Sequence, residues 1–261
     1  MTAAPRGLPV HAELAAYRTA IAELPNAVHA TDERAGSIAV VAGDGWPARV
    51  RSACGSGAIA VIVDEPAGIA TDPADAGERF LAEDFAGASV PIVIVRRRMP
   101  ALPDPRHPLA FVTVEGSGPD LLPLLRDGLG MARRLVGALQ VEHVRRTEHA
   151  VSAVLTAGDG RSVAVTATRA PAPEGADWLR VRGHGAEAIE AMVDTAAGTR
   201  RVIIEDGDGV RSLPAGHESP EREAVRAAVT AVAEPRAPRA DLVDARLDLA
   251  LVSAILRPRQ S

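Results

Sequence analysis

Asp64 and Glu65 close the apolar run Val61-Ile62-Val63 and are followed at once by Pro66, Ala67 and Gly68. Two carboxylates where a buried strand gives way to a loop stand at the place where parallel sheets present ligand-binding and catalytic groups. Paired carboxylates can do general acid–base work. Arg96, Arg97 and Arg98 end another apolar run. On a strand, Arg96 and Arg98 face one way and Arg97 the other. Arg98 then binds an anion, pairs with Glu65, or is a solvated strand end. Trp46 follows the turn Gly43-Asp44-Gly45. It either fills a ligand space or packs against its own helix.

Other chemistry is thinner. Gly183-x-Gly185-x-x-Ala188 follows a strand-like run, and Glu205 and Asp206 end a later one. On spacing alone this matches a dinucleotide fingerprint. The competing reading is a sheet turn in which glycine relieves strain. His143 and His149 carry no Cys or carboxylate cluster that would complete a metal site. Cys54, the single cysteine, reads as a buried thiol and excludes an internal disulfide. No G-x-S-x-G elbow is present. Glu218, Glu221 and Glu223 gather at a helix start, where negative charge favours the dipole.

Composition narrows the field. The chain has 261 residues, 47% of them hydrophobic and 2% aromatic, so its core is built from Ala, Val, Leu and Ile. The net charge of −5 argues against nucleic acid, which needs clustered basic charge. All 29 basic residues are arginine. A chain without lysine has no Schiff-base amine, no lysine acid and no lysine to grip a phosphate. The N-terminus shows no apolar signal-peptide core and no run approaches a membrane span. A cytoplasmic protein is the expectation.

These residues need elements to position them. Leu14, Tyr17, Ile21 and Leu24 have helical spacing, ended by Pro25 and Asn26. Residues 37–41 and 58–63 read as strands flanking a short helix with Pro47 in its first turn. Both strands are continuous in Val, Ile and Ala, as a parallel sheet requires. A helix over 72–87 and a strand over 90–98 follow. Prolines at 100, 103, 105 and 108 mark a domain boundary. Beyond it come a strand at 109–115, a helix over 121–139 with a break near Gly128 and Gly130, and five strand candidates. Asp159-Gly160 signals a hairpin. Two helices, 218–234 and 239–256, close the chain.

This order, together with several short stretches, resembles the glucose–fructose oxidoreductase / inositol dehydrogenase (Gfo/Idh/MocA) family. "SIAVVAGDGWPARVRSACGSGAIAVIVDEPAGI" resembles its strand, Thr-Pro-Asn turn, helix, and strand ending in Glu-Lys-Pro. "VPIVIVRRRMPALP" resembles the next strand, and "RDGLGMARRLVG" the helix His-x-x-Asp-Leu-x-x-x-Leu-x-Gly. "LRVRGHG" and "LVDARLDLALVSAIL" fit the later sheet and final helix. The likeness spans roughly residues 37–257. It implies an α/β plus α+β chain. An incomplete N-terminal Rossmann-like parallel sheet fills residues 1–100. An α/β domain with a large, mostly antiparallel open sheet and C-terminal helices fills 101–261.

The departures fall on the working residues. Glu65 stands where the family has its catalytic lysine, with Asp64 for the glutamate and Pro66 retained. Asp127 and Gly130 stand for the His-x-x-Asp pair, while Arg133, Leu135 and Gly137 keep the rest of that motif. Gly43-Asp44-Gly45 replaces Thr-Pro-Asn. Residues 1–36 contain no G-x-G-x-x-G turn and no evident first strand, so the first βαβ unit reads as lost or reduced to a helix. Hydride transfer needs a bound nicotinamide, and phosphate cradle, lysine and histidine are missing together.

The resemblance therefore implies a non-catalytic structural or regulatory subunit, partnered through its open sheet face with a second copy or an active full-length homologue. No cofactor is expected on the isolated chain; NAD or NADP would come with the partner. Two alternatives stand. One is an NAD(P)-dependent oxidoreductase of a sugar- or cyclitol-like substrate with an unorthodox site. The other is a nicotinamide-independent enzyme using Glu65 and Asp127 as acid and base, with Trp46, Asp64 and Arg98 contacting the ligand.

Overall fold

The structure is a computed structural model that describes residues 7–43, 45–64, 90–170, 177–213, 218–234 and 240–257. The chain forms two compact units, Met1–Arg96 with Glu218–Arg246, and Arg97–His217 with Leu247–Ser261. The first break lies close to the proline-rich stretch. Residues 218–246 return to the first unit, whereas the sequence reading placed all of 101–261 in the second.

In the first unit, β1 (Leu8–His11), β2 (Val28–Ala30), β3 (Ile38–Ala42), β4 (Ala60–Asp64) and β5 (Ile92–Ile94) form one parallel sheet in the order β2-β1-β3-β4-β5. Side chains alternate between its faces. Ile38, Ala60 and Ile62 pack with Tyr17 and Ile21 of α1 (Ala15–Ala22) and with Ala224, Val225 and Ala228 of α4 (Pro220–Ala233). Ala39, Val41, Val61 and Val63 pack on the other side with Trp46, Val50 and Ala53 of α2 (Trp46–Gly55). Pro47 lies in the first turn of α2, where its missing N–H costs nothing. Ser219 caps α4 by accepting from Arg222 N–H, and Glu221 and Glu223 sit in its first turn.

The first βαβ unit is therefore present, against the expectation from sequence. β1 and β2 are four and three residues long and carry Pro9, His11 and His29. Such segments are too short and too polar to register as apolar runs. The shortening falls elsewhere. A six-stranded doubly wound sheet has a further strand beyond the second, whereas here residues 31–37 run straight from β2 to β3.

The second unit holds an eight-stranded sheet in the order β13-β12-β11-β10-β6-β9-β8-β7. Its strands are β6 (Leu109–Gly118), β7 (Leu139–Arg146), β8 (Ala150–Ala157), β9 (Ser162–Arg169), β10 (Trp178–Gly185), β11 (Ala188–Asp194), β12 (Thr199–Asp206) and β13 (Gly209–Ser212). Only the β6–β9 pairing is parallel. One face, with Val112, Val114, Val163, Val165, Leu179 and Val181, packs against α3 (Leu121–Val136) and Leu251, Val252 and Ile255 of α5 (Ala240–Leu256).

Asp120 caps α3 by accepting from Leu122 N–H at 3.0 Å. The helix runs through Gly128 and Gly130 without the expected break. A Cβ on Gly128 would lie 2.6 Å from Val114 Cγ1, so glycine there serves close helix-to-sheet packing. Gly160 takes a φ of 87° in the β8–β9 hairpin, the left-handed conformation its turn needs. The two-sheet architecture implied by the resemblance is thus present.

Candidate functional site

Two places gather chemistry, one in each unit. In the first unit, the strand order reverses about β1, whose crossover to β2 goes one way while β3 lies on the other side. Ligands of open α/β sheets bind outside the carboxyl ends of strands at such a switch point. The register opens a hollow there. Val10 pairs with Ile38 and His11 with Ala39, so β3 runs on past the end of β1 through Val40, Val41 and Ala42.

Residues 31–37 cross this opening. Ala30 and Ile38 both lie opposite Val10, on its two sides, so the link has to pass β1 to join them. Thr31 N–H donates to Val10 O at 3.0 Å. Arg34 then reaches the end of β1, donating from Nε to His11 Nε2 and from Nη2 to Glu13 Oε1, each at 3.3 Å. Ser37 Oγ donates to Arg34 O at 2.8 Å and closes the turn. What remains is a hollow of about 150 Å³ lined by His11, Glu13, Arg34, Arg49, Ser52 and the Ala39–Ala42 stretch. The Glu13 and Arg34 side chains are 76% and 47% exposed, so their ion pair contributes at most about 1 kcal/mol.

A dinucleotide does not fit the β1–α1 turn in the way this fold usually holds one. That grip needs glycines, so that backbone N–H groups can approach the pyrophosphate at the helix N-terminus. Here the turn reads His11-Ala12-Glu13-Leu14-Ala15-Ala16, without glycine. Leu14 is the N-cap and offers no side-chain cap. Glu13 puts a carboxylate just before it, where a phosphate would meet like charge.

In the second unit, Arg98 and Asp127 come together, and Asp177 and Arg126 join them. Arg98 donates from Nε to Asp177 Oδ2 at 2.7 Å, with Nη2 2.6 Å from the same oxygen. Arg98 N–H reaches Asp127 Oδ2 at 3.4 Å, and its Nη1 lies 3.8 Å away. Arg126 Nε donates to Asp127 Oδ1 at 2.8 Å. Asp127 and Arg126 are fully buried. Asp177 is fixed just before β10 by Thr195, whose Oγ1 accepts from Asp177 N–H at 2.8 Å. Guanidinium groups do not release protons. The arrangement sets a guanidinium group against each buried carboxylate.

The other sequence-predicted positions have plainer settings. Asp64 ends β4 and is buried; Trp46 is buried in the core between α2 and the sheet. Both belong to the first unit, Arg98 and Asp127 to the second. Glu65, Asp44 and the helix expected over 72–87 lie outside the described residues. Gly183 and Gly185 sit within β10 of the antiparallel β10–β11 pair, and Ala188 opens β11 rather than a helix. A Cβ on Gly185 would come 2.8 Å from Pro108 O, so this glycine serves close packing within the sheet, not the relief of strain in a turn that the sheet reading expected. Burial pushes the Cys54 thiol up, away from nucleophilic use. Among the described residues no His, Cys, Asp or Glu cluster could hold a metal, and no helix is long and apolar enough to cross a membrane.

Sequence reasoning missed His11, Glu13, Arg34, Arg126 and Asp177. The signal that could have found the first three is the Val10-His11 pair ahead of a helical stretch. A strand ending there places a turn at Glu13.

No protein-family model matches the chain. No curated protein matches it either. Among solved structures, UDP-N-acetylglucosamine 3-dehydrogenase GnnA from Acidithiobacillus ferrooxidans is 15% identical, with 95% of this chain and 96% of that chain covered and a TM-score of 0.66. KijD10, a 3-ketoreductase from Actinomadura kijaniata solved in complex with TDP-benzene and NADP, is 15% identical with 97% of each chain covered and a TM-score of 0.62. At such identities the likeness is one of fold, and the fold is that of these Gfo/Idh/MocA-type oxidoreductases.

Proposed function

We propose that this chain is a non-catalytic subunit built on an oxidoreductase fold, acting as a cytoplasmic structural or regulatory partner of an active homologue that brings NAD or NADP. The observation that carries the reading is the crossing of Arg34 over the end of β1, onto a turn with Glu13 in place of glycine. The second unit supports it. Asp127, at the position of the family's histidine, is enclosed by Arg126 and Arg98. The chain also has no lysine to stand in for the missing amine. The partner would meet the sheet face not covered by α3, where Phe111, Val154 and Trp178 are exposed.

Calorimetric titration with NAD(H) and NADP(H) tests this reading. The isolated chain is expected to show no binding, and a complex with its homologue to bind through the homologue. Micromolar binding by the isolated chain would overturn it.

The second reading, an active NAD(P)-dependent oxidoreductase of a sugar-like substrate, is favoured by the neighbours. Proteins named as a dehydrogenase and a ketoreductase share the fold over nearly the whole chain. It expects turnover with nicotinamide by the chain alone. Turnover without nicotinamide would instead support an acid–base enzyme using Glu65 and Asp127.

A further inference from the structure

β7 is the last strand of the eight-stranded sheet, and among the described residues no strand lies beyond it. Such an edge presents backbone N–H and C=O groups without strand partners. Two hollows flank it, both within the second unit. One, of about 350 Å³, lies toward α5 and is lined by Val141, Val144 and Ile255, with Glu142, Arg146 and Arg257. The other, of about 410 Å³, lies at the hairpin end and is lined by Arg145, Arg146, Thr147 and Ser152. Arg146 belongs to both.

The charges along this edge are a second observation. Elsewhere on the sheet, Arg180, Arg201 and Arg211 meet carboxylates of neighbouring strands. Arg145 and Arg257 are exposed, and among the described residues no carboxylate pairs with them or with Arg146, whose guanidinium donates to Leu256 O. Along β7 these three cations have only Glu142 near them; Glu148, in the turn beyond, lies 3.9 Å from His149. The result is a local basic strip in a chain of net charge −5. Arg145 lies opposite Ser152 on the outward face, and Arg146 opposite Val151 on the face toward α5. The register shifts between Val141 and His143, a bulge that leaves His143–Arg146 for regular pairing. A second copy laid antiparallel on that stretch would bring Arg145 opposite another Arg145 or opposite His143, and neither register answers its charge.

We propose that β7 takes an extended acidic segment of a partner protein as an added strand. The segment's backbone pairs with His143–Arg146, in the manner of strand addition at open sheet edges. Its side chains alternate between the two faces. Carboxylates answer Arg145 on the outward face, and Arg146 and Arg257 on the other. Apolar side chains enter the hollow at Val141, Val144 and Ile255. The surface is the edge of the sheet and not its face, so it stands whichever functional reading holds.

The test uses the full chain and a labelled peptide of alternating glutamate and valine with paired glutamates at each end. Control peptides carry lysine for glutamate, or methyl groups on alternate backbone nitrogens in either frame. Fluorescence anisotropy at about 0.15 M salt gives the affinity, and amide hydrogen exchange locates the contact. The expected result is saturable binding of the glutamate peptide, at least tenfold weaker for the lysine peptide and for one methylated frame, with exchange slowed over residues 143–146. Arg145→Glu and Arg257→Glu should each weaken it at least tenfold; both side chains are exposed, so folding is left intact. No binding overturns the proposal. So does binding that ignores backbone methylation or both charge reversals, and so does protection that falls outside β7 and the end of α5. Self-association that Arg145→Glu abolishes, with the peptide unbound, assigns the edge to a second copy and overturns the proposal as well.

Discussion

Asp127 takes the place where the resembled family has a histidine, and its surroundings have changed with it. Two guanidinium groups bracket a carboxylate that no water reaches. Removing one partner of such a set strands a buried charge and typically costs about 3–5 kcal/mol. Asp127→Asn should therefore lower unfolding stability by about that amount, measured by urea denaturation, while the outward-facing Thr166→Ser should not. His184 gives a pH-dependent case. Its ring stacks on Phe111 at 4.3 Å, and burial, then the charges of Arg182 and Arg180, hold its pKa below the usual histidine value. A depressed pKa means that the unfolded chain takes up the proton first. The contribution to stability is present above the unfolded value, about 6.5, and fades as pH falls through the lower folded one. The melting temperature should drop on going from pH 7 to pH 5, and His184→Phe should flatten that drop. Neither setting was legible in sequence. Arg98 and Asp127 are 29 positions apart, and His184 meets Phe111 only across the β6–β10 pairing. A reading by local spacing sees each residue alone.

At the scale of elements, legibility followed length and local signal. The α2 helix with Pro47, the Asp159-Gly160 hairpin and the two final helices carry their turn and cap residues in sequence order, and all appear close to where they were read. β1 and β2 escaped because a four- and a three-residue strand hold too few apolar residues to show a period. The uninterrupted α3 was misread because glycine in a helix suggests a break, whereas Gly128 is there for its neighbour's sake. That cause can be tested. Gly128→Ala puts a methyl 2.6 Å from Val114 Cγ1 and should destabilise by about 1–3 kcal/mol despite the better helix propensity of alanine. Val114→Ala in the same chain should recover part of that loss, and a double-mutant cycle measures the coupling. Additive effects of the two substitutions would show that the clash is not the cause.

At the scale of the whole molecule, the outward face of the eight-stranded sheet is where the proposed partner would meet the chain. Cross-strand pairing places Phe111, Thr113 and Glu115 of β6 on this face beside His184, Arg182 and Arg180 of β10, and beside Ser162, Ala164 and Thr166 of β9. Val154 and Ser152 of β8 continue it. Its charges are largely answered within the sheet. Arg180 bonds Glu190 at 2.9 Å and lies 3.9 Å from Glu115, Arg201 lies 3.4 Å from Glu190, and Arg182 lies 3.8 Å from Glu205. These three arginines balance three glutamates, and Arg145 opposite Ser152 and Asp194 opposite Trp178 add one charge of each sign, so the face is near neutral in a chain of net charge −5. The small residues of β8 and β9 leave it flat. A near-neutral face with exposed Phe111, Val154 and Trp178 can meet another such face without charge repulsion. We therefore expect sedimentation equilibrium to find the chain associated, with itself or with its active homologue. Ala164→Arg should dissociate that assembly. The residue is exposed at the centre of the face, between Thr113 and Val154. An added guanidinium there can stay in water in the monomer, so the melting temperature of the separated chain should be unchanged. In an interface it would be buried without a partner, at a cost of several kcal/mol, enough to weaken association at least a hundredfold. A wild-type chain that stays monomeric at high concentration and ignores its homologue would remove the sheet face from the account, and with it the reason to read this fold as a subunit.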